Sequence, residues 1–181
     1  MEQKLALVRH GQTDWNLAGR MQGRTDIELN DTGRQQAREA GRRLAGEGWD
    51  LVLASPLARA QETAALMAAE LGAQTGEAVP GIIERSFGPL EGCLMQLLSE
   101  AQREAAEPQT EPVEHVLQRM DRALHETAAQ HPGRKILLVS HGGAMRIVRD
   151  ALLGYRLSRG VANGEVLPVD LERLADLNLT K

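Results

Sequence analysis

The chain has 181 residues, 42% of them hydrophobic, and a formal net charge of −4 at pH 7. These values predict one folded domain over residues 1–181, and they exclude general electrostatic attraction to nucleic acid or to an anionic membrane. With two Trp, one Tyr and one Phe, the chain cannot build an aromatic platform for single-stranded nucleic acid, and its single Cys93 excludes an intramolecular disulfide.

Targeting signals are not expected in this sequence. The first predicted strand begins at about Leu5, which leaves no room for a signal peptide. No apolar run approaches the ~18 residues that a membrane span requires. We therefore expect a cytoplasmic protein that binds neither nucleic acid nor a membrane, and both a monomer and a homodimer are compatible with the sequence.

Three short apolar runs predict the strands of a mostly parallel sheet: Leu5–Val8, Leu51–Ala54 and Ile136–Val139. Each run is continuous rather than alternating, as is typical of strands covered by helices on both faces. A weaker strand is predicted at Val79, just before Pro80. Because helical patterns separate the strands, we predict an α/β fold with right-handed crossovers.

Helix-start signals and apolar spacing predict four long helices. They run from Asn30 to about Ala45, from Ser55-Pro56 to about Leu71, from about Glu111 to Ala129, and over Gly142–Leu153.

The end of the chain alternates between apolar and polar residues. Glu165–Leu171 and Arg173–Leu179 therefore predict an edge hairpin, and Pro168 confines the first of its strands to an edge or a bulge. The segment at about 92–112 is predicted to be a short insertion, either lid-like over a site or a solvated surface helix and loop.

Chemically active side chains follow the predicted strands at their carboxyl ends, where open parallel sheets bind ligands. These residues are Arg9, His10, Ser55, Arg59, Glu84, Arg85 and His141. One histidine at a strand end is more often structural than catalytic, but a second one at the equivalent place on another strand favours catalysis. The positive charge of Arg59 lies in the first turn of the predicted helix, where the helix dipole disfavours a cation. An anionic ligand or a nearby carboxylate would account for an arginine at this position.

Arginine is the cation available to bind an anion at this edge of the sheet. The only lysines are Lys4, Lys135 and Lys181, and the first two precede their strands. The guanidinium fork suits the oxygens of a phosphate. We therefore predict phosphoryl transfer, in which a neutral imidazole attacks phosphorus and a carboxylic acid protonates the leaving alkoxide. Gly11 and Gly142, which follow the two histidines, would let the backbone approach the anion.

Competing motifs are absent. The sequence contains no G-x-G-x-x-G and no G-x-S-x-G, and Gly19–Thr25 imitates a phosphate-binding loop without its lysine. The two histidines lack the spacing of the familiar zinc motifs.

Several separated motifs of the chain closely resemble those of the histidine phosphatase superfamily, the group that includes the cofactor-dependent phosphoglycerate mutases. In chain order they are Arg9-His10-Gly11-Gln12-Thr13-Asp14-Trp15-Asn16, Gln22-Gly23, Leu29-Asn30-x-x-Gly33, Ser55-Pro56-Leu57-x-Arg59-Ala60-x-x-Thr63, Glu84-Arg85-x-Phe87-Gly88-x-Leu90-Glu91-Gly92 and Ser140-His141-Gly142-Gly143-x-x-Arg146. The resemblance covers about residues 4 to 150.

The resemblance implies a three-layer α/β/α sandwich with no metal and no cofactor. It implies that His10 is the phosphorylated nucleophile, that Glu84 is the general acid and base, and that Arg9, Arg59 and His141 form the phosphate pocket. Further substrate contacts are implied for Asn16, Gln22, Gly23, Arg85 and Gly142.

Two departures from the family pattern concern the surroundings of the implied nucleophile. Phe87 stands where the mutases usually carry Tyr, and Thr110-Glu111-Pro112 replaces a G-E-S stretch before the long helix. The usual Asn near the last strand has a counterpart in Asn163.

The predicted reaction is hydrolysis of a small phosphorylated metabolite. A mutase must keep water from its phosphohistidine with an ordered lid, and here the insertion and the segment after Leu153 are short. Sugar phosphates, phosphoglycerates and ribazole phosphate are the candidate substrates. A phosphoglycerate mutase and a non-catalytic relative that binds a phosphorylated ligand are the alternatives.

Overall fold

The computed structural model describes residues 3–176 as a mixed α/β structure with helices on both faces of a five-stranded sheet. The strands are β1 (Lys4–Arg9), β2 (Leu51–Ala54), β3 (Gln74–Thr75), β4 (Lys135–Ser140) and β5 (Val166–Val169). Their order is β3-β2-β4-β1-β5, and every pair is parallel except the antiparallel pair of β1 with β5. The predicted fold class is confirmed, including the antiparallel edge strand.

Seven helices are described in this part of the chain: α1 (Asp14–Leu17), α2 (Asp31–Leu44), α3 (Ala58–Leu71), α4 (Glu100–Ala106), α5 (Val113–Gln130), α6 (Gly142–Leu153) and α7 (Leu171–Asp176). Four 3-10 turns lie at Pro80–Ile82, Gly88–Leu90, Met95–Leu97 and Glu107–Gln109. Among residues 3–176, no helix has the length and apolar character needed to cross a bilayer.

Two hydrophobic cores lie between the layers, one on each face of the sheet. Alternate side chains of each strand point to opposite faces of the sheet, so Leu5 and Leu7 of β1 pack with α5, α6 and α7, whereas Ala6 and Val8 pack with α2 and α3. Continuous apolar strands are therefore buried on both faces, as the sequence predicts.

The start of α3 differs from the prediction. The helix begins at Ala58 instead of Ser55-Pro56, and Leu57, the N-cap, provides no side-chain hydrogen bond. Asp26, from a distant loop, accepts the Ala58 N–H through Oδ1 at 2.9 Å. The Ser55 hydroxyl is thereby free for a contact in the site described below.

The fourth parallel strand lies at Gln74–Thr75 rather than at Val79, where the prediction was wrong. Val79 makes one backbone hydrogen bond, from its N–H to the Ala54 carbonyl at 2.8 Å, and Pro80 then begins a 3-10 turn. Gln74 and Thr75 are exposed and polar, so hydrophobicity could not have located this short edge strand.

The predicted hairpin at the end of the chain is also wrong. β5 forms the edge strand, but α7 replaces the second strand as far as Asp176, and the predicted remainder, 177–179, lies outside the described residues. Asp170 accepts the Arg173 N–H through Oδ1 at 3.0 Å and so caps α7. The helix buries Leu174 against α5.

Candidate active site

The two histidines predicted from the strand ends lie side by side. β1 and β4 run parallel with Arg9 opposite Ser140, so the residues that follow them, His10 and His141, leave the sheet at the same edge. Their ring centroids are 5.1 Å apart. His10 is 2% exposed and His141 is fully buried.

The protonation of His10 follows from its hydrogen bond. Its Nδ1 lies 2.6 Å from the Gly11 carbonyl oxygen. A carbonyl can only accept, so Nδ1 carries the proton and Nε2 of the neutral ring keeps its lone pair. His10 lines a cleft of about 390 Å³, and the arrangement therefore presents a nucleophilic nitrogen to a bound ligand.

His141 is oriented by Ser55, which the sequence analysis placed at this edge of the sheet without giving it a role. The Ser55 Oγ lies 2.5 Å from the His141 Nε2 and accepts the Leu57 N–H at 3.4 Å. We infer that the hydroxyl donates to Nε2, which leaves the imidazole proton on Nδ1. That Nδ1 is buried and has no hydrogen-bond partner within residues 3–176. His141 is not among the residues that line the cleft, so this N–H is available only to a ligand that lies against the adjacent His10 ring.

Both histidines are held in the neutral form. Burial lowers the pKa of each ring well below 6.5, and the positive charges of Arg59 and Arg9 lower it further. For His141, the second cause of the lower pKa, after burial, is the repulsion that a protonated His10 would exert on an imidazolium. Neutral imidazole is the form that can attack phosphorus.

Arg9 and Arg59 bring two guanidinium groups to the site without a carboxylate in direct contact. Arg9 donates to the Val161 carbonyl at 2.5 Å, and Arg59 donates to the carbonyls of Gly23 and Thr25 at 2.7 and 2.8 Å. Within residues 3–176, neither forms a salt bridge and both have a buried Nε without a partner. Burial lowers the pKa of both guanidinium groups. An anion in the cleft would relieve this cost.

Glu84 is held against the first turn of α6. Its Oε2 accepts the Gly143 N–H at 2.9 Å, and its Oε1 accepts the Ala144 and Arg85 N–H groups at 2.8 Å each. The Gly143 and Ala144 donors are among the unpaired N–H groups of a helix start, which favour negative charge. A carboxylate has about four acceptor positions, so the remaining one on Oε2 is available for a proton.

The structure brings most of the predicted residues together in the 390 Å³ cleft. Its lining includes Arg9, His10, Asn16, Gln22, Gly23, Arg59, Glu84 and Gly142. Arg85 lies in an adjoining pocket of about 200 Å³ instead, where it donates to the Glu111 carbonyl at 2.6 Å and its guanidinium stacks over Phe87.

Asn163, which follows α6 in the chain, supports the backbone of His10. Its Nδ2 donates to the His10 carbonyl at 2.8 Å and lies 3.5 Å from the Asn16 Oδ1. Asn16 also closes a capping box with Thr13, whose hydroxyl donates to Gln22 at 3.0 Å. These polar side chains fix the loop after β1.

Protein atoms crowd the position after each histidine, which is a reason for glycine there besides the predicted approach of the backbone to an anion. A Cβ at Gly11 would lie 2.3 Å from the Gly33 carbonyl oxygen, and one at Gly142 would lie 2.9 Å from the Arg9 Nε. Both positions therefore require glycine because protein atoms pack there.

Some residues that line the cleft had no predicted role, among them Arg20, Met95, Arg103 and Arg146. Arg20 and Met95 come from two segments joined by a backbone bridge between Arg20 and Leu94, and Arg103 lies on α4. Arg146 lies on α6, inside a motif that the resemblance had covered without assigning it a role. The only sequence signal for the three arginines was that arginine is the main cation of the chain. The four side chains come together because of the path that the insertion takes, which the sequence does not show.

A larger cleft of about 710 Å³ lies between α5 and the β2–β3 edge, away from both histidines. Its volume does not make it the better candidate. Its charged and titratable lining residues are all partly or fully exposed, and they do not surround a buried histidine and a buried arginine such as His10 and Arg59. These lining residues are Glu77, Arg119, Arg122, Glu126, His131 and Arg134. In the described part of the chain, no group of three or more His, Cys, Asp or Glu side chains is arranged to hold a metal ion.

Comparison with known proteins identifies one family. A sequence profile of the histidine phosphatase superfamily (branch 1) matches residues 5–173. The uncharacterized phosphatase PhoE of Bacillus subtilis is 35% identical over 150 residues, which cover 83% of this chain and 77% of that protein. The probable phosphoglycerate mutase GpmB of Erwinia tasmaniensis is 35% identical over 159 residues, which cover 82% and 74%.

Two solved structures carry ligands and share the fold. A mycobacterial glucosyl-3-phosphoglycerate phosphatase complexed with VO3 has a TM-score of 0.76 and 27% identity, over 93% of this chain and 91% of that one. A phosphoserine phosphatase from Entamoeba histolytica in complex with 3-phosphoglyceric acid has the same TM-score and identity, over 93% and 94%.

Proposed function

Because the chain belongs to the histidine phosphatase superfamily, we propose that it hydrolyses small phosphomonoesters through a phosphohistidine intermediate on His10. The observation that carries this proposal is the hydrogen bond of the His10 Nδ1 to the Gly11 carbonyl. It leaves Nε2 as a nucleophile in a cleft that also contains Arg9, Arg59 and Glu84.

In the first step, the His10 Nε2 attacks phosphorus and the bond from phosphorus to the ester oxygen breaks. Glu84, protonated on Oε2, gives its proton to the leaving alkoxide. Arg9, Arg59 and the Nδ1–H of His141 stabilise the phosphoryl oxygens. The Gly11 carbonyl stabilises the positive charge that develops on the His10 ring.

In the second step, a water molecule replaces the alcohol. The Glu84 carboxylate takes a proton from this water, whose oxygen attacks phosphorus, and the bond to the His10 Nε2 breaks. Phosphate leaves, His10 returns to its neutral form, and Glu84 is protonated again. The cycle needs no metal or other cofactor.

The remaining predicted residues are proposed to shape the substrate site. Asn16 and Gln22 hold the loop after β1, and the carbonyl of Gly23 positions Arg59. Gly142 gives Arg9 the space it needs. Arg85 lines the adjoining pocket, where it would contact the far end of a longer alcohol.

Substrates with an anionic alcohol fit the cleft best. Arg20, Arg103 and Arg146 line it outside the phosphate pocket, and none of them forms a salt bridge within the described residues. Glu84 is the only carboxylate in its lining. Of the candidate classes, phosphoglycerates carry a second negative charge that these cations would attract, whereas simple sugar phosphates and ribazole phosphate lack a carboxylate.

Phosphoglycerate mutase activity is the second candidate, since GpmB proteins are among the relatives. The two activities separate in one assay with 3-phosphoglycerate. We expect phosphate to appear faster than 2-phosphoglycerate, and faster isomerisation would favour the mutase. A relative that only binds phosphorylated ligands would produce neither product.

Substitution of the proposed nucleophile and acid tests the mechanism directly. We expect His10→Ala to lower kcat/KM by at least about a thousandfold. Glu84→Gln should accumulate an acid-labile phosphoprotein with p-nitrophenyl phosphate, because this leaving group departs without a proton while the attacking water still needs a base. Glu100→Gln, at an exposed position of α4, is the control. Full activity of His10→Ala would refute the proposal.

A further inference from the structure

The backbone that carries Glu84 has no regular secondary structure of its own. Glu84 lies between the 3-10 turns Pro80–Ile82 and Gly88–Leu90, in a segment outside every helix and strand described. A general acid must nevertheless be held to well within 1 Å of its working position, since a displacement of about that size costs about a hundredfold in rate. Some other part of the molecule must therefore fix this segment.

Arg119 of α5 makes the contacts that this segment needs. Its Nη1 donates to the carbonyls of Gly81 and Ile83 at 2.8 and 2.7 Å, and its Nη2 donates to the Glu84 carbonyl at 3.1 Å. Its Nε and Nη2 also donate to the two carboxylate oxygens of Glu111 at 2.8 and 3.0 Å. All five N–H groups of the guanidinium are thereby used, three of them on the segment that leads to Glu84.

Glu111 joins Arg119 to the other side of the same segment. Its Oε2 accepts the Ser86 N–H at 3.3 Å and forms a salt bridge of 3.1 Å with Arg24. Its backbone N–H donates to the Ser86 carbonyl at 2.9 Å. Burial raises the pKa of Glu111, but the Arg119 hydrogen bond and the charges of Arg119 and Arg24 lower it below its ordinary value overall. The carboxylate is therefore ionised between two guanidinium groups.

Arg24 completes the arrangement from the loop after β1. Its Nε donates to the Glu84 carbonyl at 3.2 Å, so this one oxygen accepts a hydrogen bond from each of two arginines. Glu84 is thus fixed at two points: α6 holds the carboxylate, and the Arg24–Glu111–Arg119 triad holds the backbone. None of the three residues was predicted to have a role, and Arg24 and Arg119 do not line the 390 Å³ cleft.

We propose that Arg119, with Glu111 and Arg24, is a positioning residue that aligns the Glu84 carboxyl for proton transfer to the leaving alcohol. This inference rests on the proposed function of Glu84. It predicts a specific defect: loss of the triad should slow substrates whose alcohol must be protonated, and should spare substrates whose leaving group departs as a stable anion.

The test compares an alkyl phosphomonoester, 3-phosphoglycerate, with p-nitrophenyl phosphate under single-turnover conditions, which report formation of the phosphohistidine. We expect Arg119→Lys to slow the alkyl substrate by about 10- to 100-fold and p-nitrophenyl phosphate by less than about threefold, with little change in KM. Arg122→Lys is the matched control, because Arg122 is an exposed arginine of the same helix, and it should leave both rates unchanged.

Two less disruptive variants keep the inference testable if Arg119→Lys folds poorly. Glu111→Gln removes the charge of the central carboxylate, and Arg24→Gln removes one donor at a side chain that is 41% exposed. Both should show the same selective loss for the alkyl substrate, in smaller degree.

Glu84→Gln separates the failure of this inference from the failure of the proposed function. If Glu84→Gln shows the selective loss and the three triad variants do not, the inference is wrong and the mechanism stands. If Glu84→Gln itself slows both substrates equally, the assignment of Glu84 as the acid fails. An equal loss for both substrates in the triad variants would mark a structural role only.

Discussion

The backbones at Gly11 and Gly33 pack tightly against each other beside the site. Gly11 follows the proposed nucleophile, and its N–H donates to the Thr63 hydroxyl at 3.1 Å. Gly33 lies in the first turn of α2, where the Asn30 side chain accepts its N–H. A Cβ on either glycine would lie less than 2.5 Å from a backbone oxygen of the other loop. The loop after β1 is thus pressed onto α2 without side chains between them.

Alanine at Gly11 should be strongly destabilising, because neither backbone can move without shifting β1 or α2. We expect Gly11→Ala to lower the free energy of unfolding by about 3 kcal/mol, the upper end of the range for overpacking, in urea titrations followed by circular dichroism. Gly160→Ala is the control, since its Cβ would meet nothing within 4 Å, and it should change stability by less than about 0.5 kcal/mol. Equal stability of the two variants would contradict the packing argument.

The segment 92–112 forms one wall of the cleft. The Gly92 N–H donates to the Met21 carbonyl at 2.7 Å, and the Met95 N–H donates to the Gly19 carbonyl at 3.0 Å. Arg103 of α4 then donates to the Met95 carbonyl at 2.9 Å, which ties the helix to this anchored start. A lid-like movement of the segment stays a prediction. Because Met95 and Arg103 of this segment line the cleft, we expect the insertion to influence substrate choice.

Neutralising Arg103 should weaken selection for a second negative charge on the substrate. We expect Arg103→Gln to lower kcat/KM for 3-phosphoglycerate by about fivefold, the equivalent of the ~1 kcal/mol of an exposed ion pair. Glycerol 1-phosphate, which lacks the carboxylate, should change by less than about twofold. Arg122→Gln, on α5 away from this cleft, is the control. A loss that is equal for the two substrates would mean that Arg103 does not contact the carboxylate.

The stability of the whole molecule should depend on pH, because two neutral histidines lie beside the guanidinium groups of Arg9 and Arg59. His10 and His141 have pKa values well below 6.5 in the folded chain because burial and the arginine charges disfavour the imidazolium. In the unfolded chain both would titrate near 6.5. Below this pH, the unfolded state therefore binds more protons than the folded state. As a result, the free energy of unfolding decreases as the pH falls below about 6.5.

Thermal unfolding between pH 7 and pH 5 should reveal this linkage. Each histidine contributes a decrease of up to about 1.4 kcal/mol per pH unit below 6.5. The double variant His10→Gln/His141→Gln should show a clearly smaller decrease of Tm over this interval. His115→Gln, at an exposed site, should follow the unsubstituted chain. If the double variant lost stability as steeply as the unsubstituted chain, the histidines would not be the buried neutral groups described here.

Local patterns in the sequence determined the strands and most of the helices. The three apolar runs lie inside β1, β2 and β4, and the Asn30 cap opens α2 as predicted. These features depend on residues within one helical turn or one strand, so the sequence alone can predict them. Parallel strands also oblige their carboxyl ends to meet, which is why His10 and His141 could be placed together.

Tertiary structure decided what lies around that pair. Ser55 reaches His141 across 86 positions, Asn163 reaches His10 across 153, and Arg119 reaches the Glu84 carbonyl across 35. The hydrophobic periodicity of the sequence cannot predict such contacts, because each one joins elements that meet only after the chain has folded. The exposed β3 and the short helix α7 escaped prediction for the same reason: edge pairing with β2 and docking on α5 stabilise them more than their own composition does.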